Sequence, residues 1–151
     1  MKRYKSCTLI ILLLLASALQ AYAHISRNMF MLSNLNADNG LSSPRVYSIV
    51  EAEDGAMWIS TKRGVDRYNG QQVTNYTLYT EMPYSDASGR CIKLTKDAQH
   101  LIYAYDNKGK VYIYGKRKDT FVLKCNLQKI LGGSIVLNEL LVDEKGNFWY
   151  N

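Results

Sequence analysis

Few side chains in this 151-residue sequence have the type and spacing that catalysis or metal binding requires. The two histidines, His24 and His100, would have to form a copper site together with a free amino terminus at His24. A structural zinc site needs about four His, Cys or acidic ligands at suitable spacings, and the sequence has no such cluster. A nucleophilic Gly-x-Ser-x-Gly elbow and a phosphate-binding glycine loop are also missing. We therefore expect no metal and no cofactor.

Three carboxylates, Glu51, Glu53 and Asp54, are close enough in sequence to suggest the acid pair of a glycosidase. Glycosidases place their two carboxyl groups on either side of the scissile bond. Here the acids flank Asp54-Gly55, a strong turn dipeptide in which aspartate bonds the local backbone. The sequence favours this structural role, so we expect no catalytic residue in this chain and a function that depends on binding.

Tyrosine is abundant in the sequence and offers a second kind of candidate site. Its ring can stack on a sugar, but tyrosine is also a good strand residue that packs in cores. The tyrosines that we consider for stacking are Tyr103, Tyr105, Tyr112 and Tyr114. Packing is the favoured role for each of them, so the sequence alone does not identify the residues that contact a ligand.

The first 23 residues have the layout of a secretory signal peptide. Basic residues come first, an apolar run from Leu9 to Leu19 follows, and Ala21 and Ala23 define a cleavage site before His24. The apolar run is shorter than the roughly 20 residues that a membrane span requires. We therefore predict export with removal of 1–23, and retention of an uncleaved anchor is the alternative.

Removal of this segment would lower the net charge from +6 to +3, because it carries three cations and no anion. Such a modest charge gives no reason to expect nucleic acid as a partner.

Two cysteines, Cys91 and Cys125, remain in the mature chain. An oxidising compartment permits a disulfide between them, but each also lies in an apolar run that suits a buried thiol. The sequence leaves that question open.

Beyond His24 the sequence predicts short strands that are joined by turns. Glycine-containing turn signals at Asp54-Gly55, Gly64 and Asn69-Gly70 separate runs of β-branched and aromatic residues. The same plan recurs further along the chain, and the turn acids Asp54, Asp97 and Asp143 are 43 and 46 residues apart. Four strands per unit and a period in the forties are typical of propeller blades.

The stretch GLSSPRVYSIVEAEDGAMWISTKRGVDRYNG, residues 40–70, closely resembles the two-component regulator propeller repeat. The signature positions of the first copy are Gly40, Leu41, Asp54, Gly55, Trp58, Ile59, Thr61, Gly64, Tyr68 and Gly70, and Gly146 and Trp149 mark the third copy. Ser60 and Val65 replace the usual glycine and leucine of the repeat. The second copy lacks the tryptophan, and we expect Leu101 or Ile102 in its place.

The resemblance implies an all-β fold, a partial β-propeller of about two blades and the start of a third behind the signal peptide. The predicted segments are a signal peptide at 1–23, an opening strand segment at 24–39, a first blade at 40–80, a degenerate second blade at 88–125 and the start of a third blade at 135–151. Residues 126–134 fit least well and predict a short helix or a loop insertion. Because the sequence stops inside a predicted strand, we expect a fragment of a longer propeller.

The family implies a function for such a fragment. Its members are typically the periplasmic input regions of hybrid histidine kinases that respond to oligosaccharides. The implied partners are an oligosaccharide, the remaining blades of a parent chain and, in the full-length protein, a second copy. Contact with a membrane would come only through the parent chain or an uncleaved signal. The alternatives are a secreted propeller that binds or cleaves carbohydrate, and a non-functional truncated product.

Overall fold

The structure, a computed structural model, describes residues 34–78 and 91–151. Its strands are β1 (Val46–Glu51), β2 (Met57–Thr61), β3 (Gly64–Tyr68), β4 (Val73–Tyr76), β5 (Ile92–Lys96), β6 (Ile102–Asp106), β7 (Lys110–Gly115), β8 (Thr120–Asn126), β9 (Leu140–Val142) and β10 (Phe148–Tyr150). A 3₁₀ helix at Ala37–Asn39 precedes them, and one short α-helix, α1 (Leu127–Leu131), follows β8. The predicted signal peptide and residues 24–33 of the opening segment lie outside the described residues. Residues 34–39, the described end of that segment, contain the 3₁₀ helix and no strand.

The strands form three antiparallel sheets in the order of the chain. We call β1-β2-β3-β4 blade 1, β5-β6-β7-β8 blade 2 and the β9-β10 pair blade 3. The prediction of an all-β fold built from four-stranded meanders is thereby confirmed. Residues 126–134, which fitted the repeat least well, contain α1.

The second strand of each complete blade is buried along nearly its whole length. In β2 the residues from Trp58 to Thr61 are all buried, and in β6 every residue is buried. A strand that is covered on both faces has no need of the alternation of apolar and polar residues that a half-exposed strand shows. Both strands therefore lie inside the structure, and their buried residues include the polar Ser60, Thr61 and Asp106.

The hairpin turn between the first and second strands has the same backbone geometry in all three blades. In each turn the amide of the first residue donates to the carbonyl of the fifth, over 52–56, 97–101 and 143–147, with N···O distances of 2.8, 3.2 and 3.1 Å. The fourth residue has a positive φ each time: 77° at Gly55, 61° at His100 and 78° at Gly146. His100 thus stands in a left-handed position that glycine fills in the other two copies.

This equivalence corrects the expected position of the aromatic residue in the second repeat. Trp58 and Trp149 are the sixth residues after positions 52 and 143, and the sixth residue after position 97 is Tyr103. The prediction that Leu101 or Ile102 replaces the tryptophan was wrong. The spacing of the turn acids misleads here, because Asp54 lies two places later in its turn than Asp97 and Asp143 lie in theirs.

Within residues 34–78 and 91–151 the core consists of two hydrophobic clusters, each between neighbouring blades. The first joins Trp58 and Val65 of blade 1 to Ile92, Leu94 and Tyr112 of blade 2. The second joins blade 2 to blade 3 and contains Tyr103, Tyr105, Val111, Leu127, Leu137, Leu140 and Val142. Stacking one sheet on the next therefore buries apolar surface that a single blade would leave in water.

The residues before β1 are fixed to blade 1 through Asp66, which is fully buried. One carboxylate oxygen accepts from both the amide and the hydroxyl of Ser42, at 2.8 and 2.9 Å, and the other accepts from the Asn75 side chain at 2.8 Å. A buried carboxylate is tolerated when such hydrogen bonds replace water. The Gly-Leu-Ser-Ser start of the repeat thus has a structural reason, because Ser42 provides two of those bonds.

Ser60, which replaces the usual glycine of the repeat, bonds Ser48 within blade 1, and Ser48 in turn bonds blade 2. The Ser60 hydroxyl pairs with that of Ser48 at 2.8 Å, and the Ser48 hydroxyl accepts from the backbone amide of Leu94 in blade 2 at 2.8 Å. Lys96 of blade 2 donates to the carbonyl of Glu51 at 3.0 Å. The contacts advance in the same direction on both strands, so β1 and β5 run parallel to each other.

Cys91 and Cys125 are both free thiols and are partly buried. Burial raises the pKa of the Cys125 thiol. Cys125 packs against the hydrophobic cluster between blades 2 and 3, which agrees with the buried-thiol alternative.

Gly64 provides a test of the blade 1 hairpin. A Cβ at this position would collide with the backbone carbonyl oxygen of Tyr76, and φ is +153°. Gly55 also has a positive φ, but a Cβ there meets open space. We expect Gly55→Ala to lower the free energy of unfolding by about 1–2 kcal/mol, the cost of a left-handed backbone, and Gly64→Ala to lower it by clearly more. Urea unfolding of both variants measures this, and equal losses would contradict the steric account.

Candidate functional site

A cleft of about 540 Å³ opens between blade 1 and blade 2. We call it the inter-blade cleft. One wall is the β1–β2 turn with Ala52, Glu53 and Asp54, and the opposite wall is the β5–β6 turn, residues 99–101, with Ile102. Its volume lies within the range of about 300–1,000 Å³ that is usual for small-molecule sites. Because equivalent turns of two repeats form the walls, the repeat itself positions the cleft.

The base of the cleft is aromatic. Trp58 is 1% exposed, and its ring centroid is 4.5 Å from that of Tyr114 and 5.5 Å from that of Phe121. Tyr76 at 5.3 Å completes this cluster from β4. Tilted and edge-to-face rings at such distances attract each other beyond their burial alone. Trp58 and Tyr114 of this cluster line the cleft.

Arg67 lies over the Trp58 ring and lines the cleft. Its guanidinium carbon is 5.8 Å from the centroid of the Trp58 ring, and one of its nitrogens donates to Asp54 Oδ2 at 2.6 Å. The Ala56 amide and then the Arg67 guanidinium stabilise the charged carboxylate and lower the pKa of Asp54. Lys116, from the opposite blade, also lines the cleft. The cleft is therefore lined by two carboxylates, Glu53 and Asp54, by the cations of Arg67 and Lys116, and by the imidazole of His100.

A hydrogen-bonded clamp lies beside the cleft. The hydroxyls of Tyr76 in blade 1 and Tyr114 in blade 2 both donate to Asp119 Oδ1, at 2.7 and 2.6 Å. These bonds, first that from Tyr114, lower the pKa of the Asp119 carboxyl. Burial and then the bond to Asp119 raise the pKa of both tyrosines. The clamp connects the outer part of blade 1 to the β7–β8 turn of blade 2.

The four tyrosines considered for stacking on a sugar differ in burial and in their position relative to the cleft. Tyr103, Tyr105 and Tyr112 are buried in the two core clusters, whereas Tyr114 is half-buried and lines the cleft. Tyr103, Tyr105 and Tyr112 therefore have the packing role that the sequence favours. Only Tyr114 among these four is positioned to touch a ligand.

The three carboxylates near the first turn do not form a glycosidase pair. Glu53 and Asp54 lie on the same wall of the cleft, and Glu51 lies on β1 beside them. A general acid for glycoside cleavage requires a raised pKa, and that of Asp54 is lowered. The three carboxylates lie at one strand end and its turn, which agrees with the structural role that the sequence favours.

The predicted signature residues occupy turns and core positions of the repeats. Gly40 and Leu41 precede β1; Asp54 and Gly55 form the first turn; Trp58, Ile59 and Thr61 lie on β2; Gly64 and Tyr68 bound β3; Gly70 follows it; Gly146 and Trp149 belong to blade 3. Two of them, Asp54 and Trp58, line the inter-blade cleft. Trp149 is 64% exposed, in contrast to Trp58, which blade 2 covers.

Sequence reasoning missed the part that Arg67, Gln99 and Lys116 play in the cleft. Arg67 lies within the repeat stretch at residues 40–70, but its pairing with Asp54 depends on the register of β2 and β3, which places Trp58 opposite Arg67. Lys116 belongs to the turn between β7 and β8, which has no recognisable site pattern in the sequence. No pattern within either repeat alone indicates that the two turns face each other.

Within the described ranges, 34–78 and 91–151, no group of three or more His, Cys, Asp or Glu side chains could hold a metal ion. His100 lies on a wall of the cleft, and His24 is outside these ranges. The same ranges contain no helix that is long and apolar enough to cross a membrane.

Comparison with known families identifies the first repeat. Residues 40–63 match the family described as two component regulator propeller. The resemblance seen in the sequence is thus confirmed for this repeat. No curated protein matches the chain.

Two solved structures of B. thetaiotaomicron share the fold. One is the extracellular domain assigned to a one-component system, BT4673, with a TM-score of 0.56 and 20% identity. The other is the extracellular domain assigned to a hybrid two-component system, BT3049, with a TM-score of 0.51 and 21% identity. Each match covers 78% of this chain, and the chain spans only 15% and 14% of the two structures.

Proposed function

We propose that this chain is a ligand-sensing part of the propeller region of a periplasmic two-component sensor, with a hybrid histidine kinase as the parent protein. The observation that carries the proposal is the two-component regulator propeller repeat at residues 40–63. The fold that the chain shares with extracellular domains of one-component and hybrid two-component systems supports it. In such a protein the propeller would bind the signal and other modules would perform the chemistry.

The inter-blade cleft suggests how binding would act. A ligand that touches both the Asp54 wall and the His100 wall would favour the arrangement in which the two blades are held together. A ligand shifts a conformational equilibrium only by its difference in affinity for the two states. We propose that this difference, passed to the rest of a longer chain, is the signal, and that no bond of the ligand is broken here.

We propose an oligosaccharide as the ligand. The half-buried ring of Tyr114 and the polar side chains around it are the kinds of group that bind sugars, through stacking and through hydrogen bonds to hydroxyls.

Further blades of the parent chain are the proposed structural partners. A second copy of the full-length protein is a proposed partner as well, since homo-oligomers with closed symmetry are the common form of assembly.

Export is part of the proposal, because a periplasmic sensor must leave the cytoplasm. We expect the protein recovered from the periplasmic fraction of expressing cells to begin at His24, as intact-mass measurement would establish. Leu13→Arg, which interrupts the apolar run of the signal, should leave the precursor with residues 1–23 inside the cell. A control change outside the segment, Lys118→Arg, should not affect processing. Unprocessed wild-type protein in the cytoplasmic fraction would contradict export.

The identity of the parent protein is tested on the gene. We expect the reading frame to continue beyond codon 151 through further repeats to a membrane-spanning helix and a histidine kinase core, because the repeat family is one of two-component regulation. Sequencing the locus measures this. A frame that continues into a secreted enzyme or a carbohydrate-binding module without a membrane helix would replace the sensor with that alternative. A stop directly after codon 151 would contradict a sensor function for this product.

A further inference from the structure

Positive charge is concentrated in one stretch of the chain. Residues 107–138 carry seven cations and one anion, a net charge of +6, whereas the other residues after position 23 carry nine cations and twelve anions, a net charge of −3. The stretch contains β7, β8 and α1. Since β8 is the last strand of its sheet, the surplus of positive charge lies along an outer edge of blade 2.

The cations of this edge are exposed and have no acidic partner. Within residues 34–78 and 91–151 the side-chain ion pair is that of Arg67 with Asp54, so no carboxylate of these ranges neutralises a cation of the edge. The one anion of the stretch, Asp119, accepts instead from the hydroxyls of Tyr76 and Tyr114. The exposed cations are Lys116, Arg117 and Lys118 in the β7–β8 turn, Lys124 on β8 and Lys129 on α1.

Exposed aliphatic side chains lie between these cations. Val122 and Leu123 directly precede Lys124, and Ile130 and Leu131 directly follow Lys129. Each of the four aliphatic residues is between 47% and 67% exposed. The edge therefore offers positive charge and apolar surface together. We call these residues the basic edge: Arg117, Lys118, Val122, Leu123, Lys124, Lys129, Ile130 and Leu131.

Two ordinary roles of such residues do not account for the whole edge. Lysine on an edge strand commonly prevents pairing with another strand, which explains Lys124. It does not explain Arg117, Lys118 and Lys129, which lie in a turn and on a helix. Contact with a further blade does not fit either, because the blade interfaces of the described ranges are apolar clusters and burial of an unpaired cation is costly.

We propose that the basic edge binds directly to the surface of an anionic phospholipid bilayer. Lysine and arginine side chains close to such a surface are attracted by the negative headgroups. Aliphatic side chains beside them gain free energy by entering the boundary between headgroups and acyl chains. The long lysine stems can lie along that apolar surface while their ammonium groups remain at the headgroups.

This contact is separate from the inter-blade cleft. None of the eight residues of the basic edge lines the cleft, so a chain that lies on a membrane through this edge keeps the cleft free of lipid contacts from these residues. The inference therefore does not depend on the ligand of the cleft or on the proposed sensor. It adds a direct membrane contact to any contact that a parent chain or an uncleaved signal provides.

The charged part of the proposal is tested with two double variants of equal net charge. Lys124→Gln with Lys129→Gln removes two cations of the basic edge. We expect it to weaken binding about fivefold for each cation and about twenty-five-fold in all, because a cation near an anionic surface contributes about 1 kcal/mol. The matched control, Lys62→Gln with Lys145→Gln, removes two exposed cations elsewhere and should change binding by no more than about threefold.

The apolar part is tested without a change of charge. Ile130→Ser with Leu131→Ser should weaken binding by about fivefold or more, because less apolar surface enters the boundary. The matched control, Ile49→Ser with Leu141→Ser, replaces two aliphatic residues that are 55% and 56% exposed on other strands. This control should leave binding within about twofold of wild type. Thermal melts show whether each variant is folded.

Binding is measured by flotation of the purified periplasmic chain with phosphatidylcholine vesicles that contain about a quarter phosphatidylglycerol. Vesicles of phosphatidylcholine alone should not bind, and raising the salt concentration from about 0.05 to about 0.5 M should release the protein. All variants share one amino terminus, so a difference between them arises from the substituted residues.

Four results would overturn the inference. They are a lack of binding to the anionic vesicles, equal binding to neutral vesicles, equal losses from the two lysine pairs, and full binding by the Ile130→Ser, Leu131→Ser variant. Retention on polyglutamate without any binding to anionic vesicles would assign the edge to an acidic protein partner in place of lipid. Each of these results would leave the proposed sensor intact.

Discussion

The burial of one indole ring, that of Trp58, between two four-stranded sheets is the interaction on which the described structure depends. The ring belongs to β2 of blade 1, and Tyr114 and Phe121 of blade 2 cover it. Full burial of a large aromatic side chain is among the largest single hydrophobic contributions that a core residue makes, and truncation of such a residue to alanine typically costs about 3–5 kcal/mol. Neither blade could bury this surface alone, so the sheets are stable as a pair.

Hydrogen bonds between the inner strands fix how the blades stack. Leu94 donates to the hydroxyl of Ser48, and Lys93 donates to the carbonyl of Asn138 at 2.8 Å. The partners in these bonds are 46 and 45 residues apart, close to the spacing of the hairpin turns. The two bonds differ in chemistry, but each joins a blade to the next at about one repeat length. Among the described blades, the inter-blade cleft lies between blade 1, whose turn has Ala52, and blade 2, whose turn has Asp97 at the equivalent position.

Much of this architecture could be predicted from the sequence. The turn dipeptides Asp54-Gly55 and Asn69-Gly70 and the apolar runs between them have local causes, so the strands of blade 1 lie close to the predicted places. Tyr103 could not be placed, because its equivalence to Trp58 depends on backbone hydrogen bonds in the turns and not on residue identity. The cleft was also beyond prediction, since Arg67 and Lys116 come from different blades, 49 residues apart in sequence. A polar residue on one repeat does not indicate which residue of the next repeat will face it.

The measurement that tests the dependence on Trp58 most directly is native-state hydrogen exchange of the wild-type chain and Trp58→Leu. If the indole holds the two blades together, the free energy of opening must fall by the same amount for amides of β2 and β3 as for those of β6 and β7. Loss of protection in blade 1 alone, with blade 2 unchanged, would contradict that account and would mean that each blade is stable without its neighbour.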